Sequence, residues 1–185
     1  YMMTSYRNLS RNDGLQSKNS TANIYVNLNY RNPFTTLFMT LGVNWMNNWR
    51  NMLYDTRYTG ILSSATGILH PHSAQQFSTG FSIGKSVDDI SSELRTNAGY
   101  ARNQSIALNQ GVISPYTSDS YNVSASSTTD IGQFMILKYS AAYSQSRIRI
   151  SNTRLDPMHY FTQSLNTSFI PKKGLIFNIG FNHYF

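Results

Sequence analysis

Between Ala22 and Tyr30, Ala, Ile, Val, Leu and Tyr hold every even position, while Asn23, Tyr25, Asn27 and Asn29 hold the odd ones. Successive side chains of a strand point to opposite faces. The segment therefore reads as a β-strand with one apolar and one polar face, and no helical period fits it. Arg31-Asn32-Pro33 ends it, because proline cannot donate to a ladder and asparagine favours turns. A second strand follows, with Leu37, Met39, Leu41, Val43 and Trp45 on one face and Phe38, Thr40, Gly42, Asn44 and Met46 on the other. Its apolar face covers about eight steps of ~3.3 Å, or ~20 Å of height at a ~40° tilt, close to the ~25 Å apolar band of an outer-membrane barrel.

The same alternation returns over residues 77–84, 94–101, 121–126, 137–143, 161–169 and 175–182. That predicts eight strands, with the tail of another before Arg7. Short connectors are expected at residues 31–34, 86–92, 128–132 and 171–174, and long ones at 7–19, 49–74, 103–118 and 148–158. All five prolines fall in these expected connectors. Short periplasmic turns alternating with long extracellular loops are the habit of outer-membrane barrels. The fold expected is thus all-β: an antiparallel up-and-down transmembrane β-barrel in a bacterial outer membrane, filling residues 1–185 as one domain.

Composition agrees with that reading. Charged residues make up 12%, about half the ~25% usual in globular proteins. Aromatics reach 14%, and most of the polarity is uncharged Asn, Ser and Thr. Mean hydropathy is −0.36 and no apolar run approaches the ~18–20 residues of a membrane helix. Neither fact bears on a barrel, whose strands average out as polar. The net charge of +7 comes from scattered residues such as Arg7, Arg11, Lys18, Arg31, Arg50, Arg57, Lys172 and Lys173. They form no basic stripe with interleaved aromatics, so nucleic acid is not an expected partner. Cysteine is absent, which removes disulfides and thiolate metal sites.

The polar face carries small neutral side chains, with Arg95 and Lys138 almost its only charges. A narrow closed barrel would need interior acid–base pairs to satisfy buried charge. Small neutral groups suit a wall that faces water or a separate plug. With no leader-like start around Tyr1-Met2-Met3-Thr4, the chain reads as part of a larger barrel. The closing Asn182-His183-Tyr184-Phe185 nonetheless looks like the aromatic assembly signal of barrel proteins.

Four stretches carry a resemblance. They are Tyr6-Arg7-Asn8-Leu9-Ser10-Arg11-Asn12-Asp13-Gly14-Leu15, Tyr30-Arg31-Asn32-Pro33, Trp49-Arg50-Asn51-Met52-Leu53-Tyr54 and Phe169-Ile170-Pro171-Lys172-Lys173. Together they resemble the late barrel region of TonB-dependent-receptor-like proteins, the type with carboxypeptidase-regulatory-like and plug regions upstream. The resemblance implies a ~22-stranded plugged barrel and energy-coupled nutrient uptake. Its partners would be outer-membrane lipid, an unknown nutrient, and an energy-coupling inner-membrane complex reached through regions outside this chain.

Candidate chemistry is sparse. The expected 49–74 loop is the longest and most aromatic, so Trp49, Tyr54, Tyr58 and His70 are the expected extracellular ligand contacts. Trp45 and Trp49 sit where an aromatic girdle belongs. His70-Pro71-His72 offers two imidazoles, short of a metal site's ligand count, and reads as polar loop. Asp88-Asp89 reads as a turn cap. No nucleophile–base pair stands out, so neither an enzyme nor a cofactor or metal is expected. Two other readings stay open: a self-contained eight-stranded barrel acting as an adhesin or structural protein, and a soluble secreted β-sandwich binding carbohydrate through its aromatics.

Overall fold

The computed structural model describes residues 2–5, 8–11, 16–59, 62–172 and 175–185. Its strands are β1 (Met2–Ser5), β2 (Asn8–Arg11), β3 (Asn19–Asn32), β4 (Leu37–Thr59), β5 (Leu62–Val87), β6 (Ser92–Asn109), β7 (Val112–Ile131), β8 (Met135–Ile150), β9 (Thr153–Arg154), β10 (Met158–Lys172) and β11 (Leu175–Tyr184). All belong to one sheet. The eight long strands pair antiparallel in the order β3-β4-β5-β6-β7-β8-β10-β11, an up-and-down meander. The short β2 lies parallel to the start of β5, with Asn8 opposite Ser63. Among the described residues, β3 pairs with β4 alone and β11 with β10 alone.

Register shows why each strand alternates. Val26, Val43, Thr79, Tyr100 and Tyr121 form one cross-strand row, and Leu28, Leu41, Phe81, Ala98, Val123 and Tyr143 form the next on the same face. The opposite face holds the row Asn27, Gly42, Gly80, Gly99 and Asn122. Side chains in such rows are close neighbours, so apolar and polar positions gather into two continuous surfaces. Nothing in the described chain covers the apolar one. Val26 and Val123 are each 50% exposed and Phe181 62%. Among the described residues the buried apolar side chains are Met52, Leu53 and Leu108. A soluble sandwich would bury this face under a second sheet, and among the described residues there is no second sheet.

Two expectations about connectors are corrected. Residues 49–74 and 103–118 are not long loops. They are the far ends of β4, β5, β6 and β7, which run on as paired strands. Gln110 and Gly111 close the β6–β7 hairpin with φ of 51° and 81°, the double positive φ of a tight two-residue turn. In the expected 148–158 loop, β9 folds back onto β8. The expected short connector at Arg31 holds: the turn after Asn32 is capped by its Oδ1, which accepts from the amides of Phe34 (3.0 Å) and Thr35 (3.4 Å).

Nor do all prolines avoid strands. Pro71 lies in β5, Pro115 in β7 and Pro171 in β10. Each sits where its missing N–H costs little. Pro71 falls in a register shift, where Arg50 to Met52 faces His72 to Leu69. Pro171 falls in another, between Phe169 and Lys172. Pro115 lies one residue beyond the last β7–β8 pair, and its carbonyl accepts from the Ser151 amide at 2.7 Å.

Candidate functional site

The far end of β4–β5 is where this sheet acquires tertiary packing. At the register shift, Asn51 straps down the segment before β3. Its Oδ1 accepts from the Lys18 amide (2.6 Å), its Nδ2 donates to the Gln16 carbonyl (2.9 Å), and its own amide donates to the Lys18 carbonyl (3.2 Å). The bulge bends the strand, and the hairpin beyond it meets the β6–β7 hairpin, where Thr56 is opposite Asn109. Asp55, 5% exposed, joins the two. One carboxylate oxygen accepts from the Gly111 amide at 3.0 Å and the other from Arg57 Nε at 2.9 Å. The Gly111 amide first, then Arg57, hold this carboxyl below its ordinary value, against a smaller opposing effect of burial. Sequence reasoning missed Asp55, because its partner lies on a different hairpin.

The expected ligand contacts do not converge. Trp49 is 46% exposed and opposite Ser20 and Ser73, the same face as Trp45. It borders a cavity of about 530 Å³ with Lys18, Pro71 and Ser73. Tyr54 is 50% exposed and borders a separate cleft of about 420 Å³ with Arg50, Met52, His72 and Leu108. His70 stacks on His72 at 6.4 Å between ring centroids, and His72 Nδ1 lies 2.9 Å from the His70 carbonyl oxygen. Tyr58 pairs with Ser63 in the ladder, and its side chain lies outside the described residues. Among the described residues no three His, Cys, Asp or Glu gather as metal ligands. Asp88 and Asp89 open a single 3-10 turn, Asp88–Ile90.

The polar face of the sheet carries a trench of about 510 Å³ that runs over Gly42, Gly80 and Gly99, with Tyr25, Asn44 and Asn122 along its sides. A Cβ on Gly80 would meet nothing within 4 Å. A Cβ on Gly99 would collide with the Asn122 amide. The trench is thus floored by backbone and walled by neutral polar groups.

On the apolar face the aromatics form a belt that a single strand does not reveal. Phe77 shares a row with Trp45. Phe77 and Tyr100 are 6.3 Å apart, Tyr100 and Tyr121 4.9 Å, and Tyr143 and His159 6.1 Å, all between ring centroids. The Tyr143 hydroxyl lies 2.7 Å from His159 Nδ1. The belt drops one row from Trp45 and Phe77 to Tyr100 and Tyr121 and another to Tyr143, while His159 lies level with Tyr121.

No protein-family model and no curated protein matches the chain. Among solved structures it is similar to the beta domain of the Bordetella autotransporter BrkA, at 7% sequence identity and a TM-score of 0.38, over 91% of this chain and 67% of that one. What class the chain belongs to is therefore argued from its own strands: a single all-β, antiparallel up-and-down sheet with one apolar and one polar face.

Proposed function

We propose that the chain forms wall of a transmembrane β-barrel in a bacterial outer membrane. The observation that carries this is the continuous, uncovered apolar face, bounded by an aromatic belt and backed by a polar face of mostly small uncharged side chains, with one ion pair, Arg95–Glu93, at 3.0 Å. In water such a surface would drive association; against acyl chains it is satisfied. From Phe161 to Phe169 on β10 is about eight steps of ~3.3 Å, which tilted gives ~20 Å, enough for a thin outer-membrane core.

Within that reading, the wall belongs to a receptor or transporter that takes up a nutrient by energy coupling. The support is the sequence resemblance of the four stretches and the uncharged trench, which leaves room for a separate occupant of the lumen. Outer-membrane lipid, the nutrient and the energy-coupling complex are its partners in this proposal. A self-contained eight-stranded barrel is the second reading, favoured by the free edges of β3 and β11, which could meet each other.

Tryptophan depth tests the membrane claim. The chain has two tryptophans, so Trp49→Phe leaves Trp45 as sole reporter. Its fluorescence should be quenched by lipids brominated near the headgroup; an unquenched Trp45 in a folded, vesicle-bound protein overturns the claim. Cysteines along β3, paired with one in β11, separate the two barrel readings: crosslinking within one chain supports the self-contained form.

A further inference from the structure

We propose that the apolar face, at the β7–β8–β9 end, carries a binding site for the phosphorylated headgroup of an outer-leaflet lipid. The proposal rests on the membrane reading above.

Register assembles the site. Arg102, Asp119 and Arg147 occupy one row across β6, β7 and β8. Arg149 follows two residues later on the same face of β8, and Arg154 of β9 is directly opposite it. This face is the one that carries Tyr100, Tyr121, Val123 and Tyr143. The arginines stand just beyond the aromatic belt, toward the end where strands extend farthest. Long extensions mark the extracellular end and aromatic belts mark the headgroup boundary, so these guanidinium groups sit at headgroup depth on the lipid side.

The arrangement is poorly balanced without a ligand. Asp119 is occupied: its carboxylate accepts from the Tyr100 hydroxyl at 2.8 Å and lies 3.7 Å from Arg102 Nε. Arg147, Arg149 and Arg154 are exposed and make no ion pair among the described residues. Arg147 lies over the Tyr121 ring at 6.0 Å. Arg149 and Arg154 are a like-charged cross-strand pair, which destabilises a ladder unless an anion bridges it. These three arginines border a cavity of about 430 Å³ with Tyr121, Leu155 and Asp156. Its three guanidinium groups exceed its two carboxylates, and guanidinium binds phosphate through paired N–H donors. A lipid headgroup fits better than free phosphate, because the cavity is bordered by Tyr121, and Val123, two residues further along the same face of β7, lies where acyl chains would. A strand end made basic only for solvation would have no reason to put its arginines on the apolar face.

The test folds the full chain into vesicles of phosphatidylcholine, alone or doped with bisphosphoryl lipid A, and measures lipid retained after detergent extraction by native mass spectrometry. Wild type should retain lipid A but not its dephosphorylated form. R147A/R149A/R154A should retain it at least about tenfold less, since each basic group near an anionic surface contributes roughly fivefold. R147K/R149K/R154K should recover part of the loss. Equal retention by the folded alanine variant overturns the site while leaving the membrane reading intact. So does binding of inorganic phosphate as tight as that of lipid A. Absence of bound lipid on wild type from either vesicle, with Trp45 unquenched by headgroup-brominated lipid, overturns the membrane reading itself, and the site with it.

Discussion

The Asp55 carboxylate and the Gly111 amide, 56 residues apart in sequence, share a 3.0 Å hydrogen bond that ties the β4–β5 hairpin to the tip of β6–β7. The bond reaches a backbone donor, so no change of side chain at Gly111 can replace it. Besides apolar contact and the Thr56–Asn109 ladder pair, this carboxylate is what holds the hairpin down.

Asp55→Asn should therefore release the tip. Hydrogen exchange read by mass spectrometry is expected to show the Gly111 amide exchanging several-fold faster, with β3 and β10 unchanged. An unchanged Gly111 amide would mean that Met52, Leu53 and Leu108 hold the hairpin alone.

Acid should act in the same direction. The Asp55 carboxyl is held below its ordinary value of 3.8, so its contribution is present above that pH and is lost as pH falls through the lowered value. The tip should stay protected through mildly acidic conditions and loosen only in stronger acid. Loosening near neutral pH would rule out Asp55 as the group responsible.

The bulge sets the hairpin's lean. Deleting Pro71 removes the extra residue opposite Asn51 and should straighten the ladder. The distance between spin labels at positions 57 and 111 is expected to lengthen, whereas Pro71→Ala should leave it unchanged.

The two faces should answer oppositely to charge. Ala125→Arg, two rows inside the Tyr121 belt on the apolar face, should cost about 2–4 kcal/mol of folding stability in vesicles. Ser124→Arg, next along the strand on the polar face, should cost far less. Equal penalties would remove the assignment of the apolar face to lipid.

Glycines of the trench should differ among themselves. Gly80→Ala has free space and should be neutral or stabilise by up to about 1 kcal/mol. Gly99→Ala must displace the Asn122 side chain and should cost about 1 kcal/mol. Urea unfolding in vesicles checks both.

All eight long strands are legible in the sequence, because alternation is local and is enforced wherever one face is apolar. It stops at about Trp49 on β4 and Arg102 on β6, and there the expected loops begin. The strands continue because backbone pairing persists there, while the adjacent Met52 and Leu53 are both buried, so the two-residue alternation no longer marks the strand. Pro71 and Pro115 mislead for the same reason: a bulge or a ladder end accepts proline as readily as a loop does. The belt through Phe77, Tyr100 and Tyr121, the Arg149–Arg154 pair and the Asp55 latch depend on register between strands, which no single stretch encodes. Trp49 and Tyr54 are close in sequence yet border different cavities, a separation that alternation alone predicts for residues an odd number apart.

The free edges of β3 and β11 have a kinetic meaning. Every long strand between them pairs with its sequence neighbour, so the meander can grow hairpin by hairpin with little loop entropy to overcome. Its open edges cannot persist in hydrocarbon, where unpaired amides and carbonyls cost several kcal/mol each. On the proposed membrane reading, growth thus remains provisional until each edge finds a partner. That pairing, with the other edge or with further wall, is the step at which a reversible intermediate becomes a committed fold.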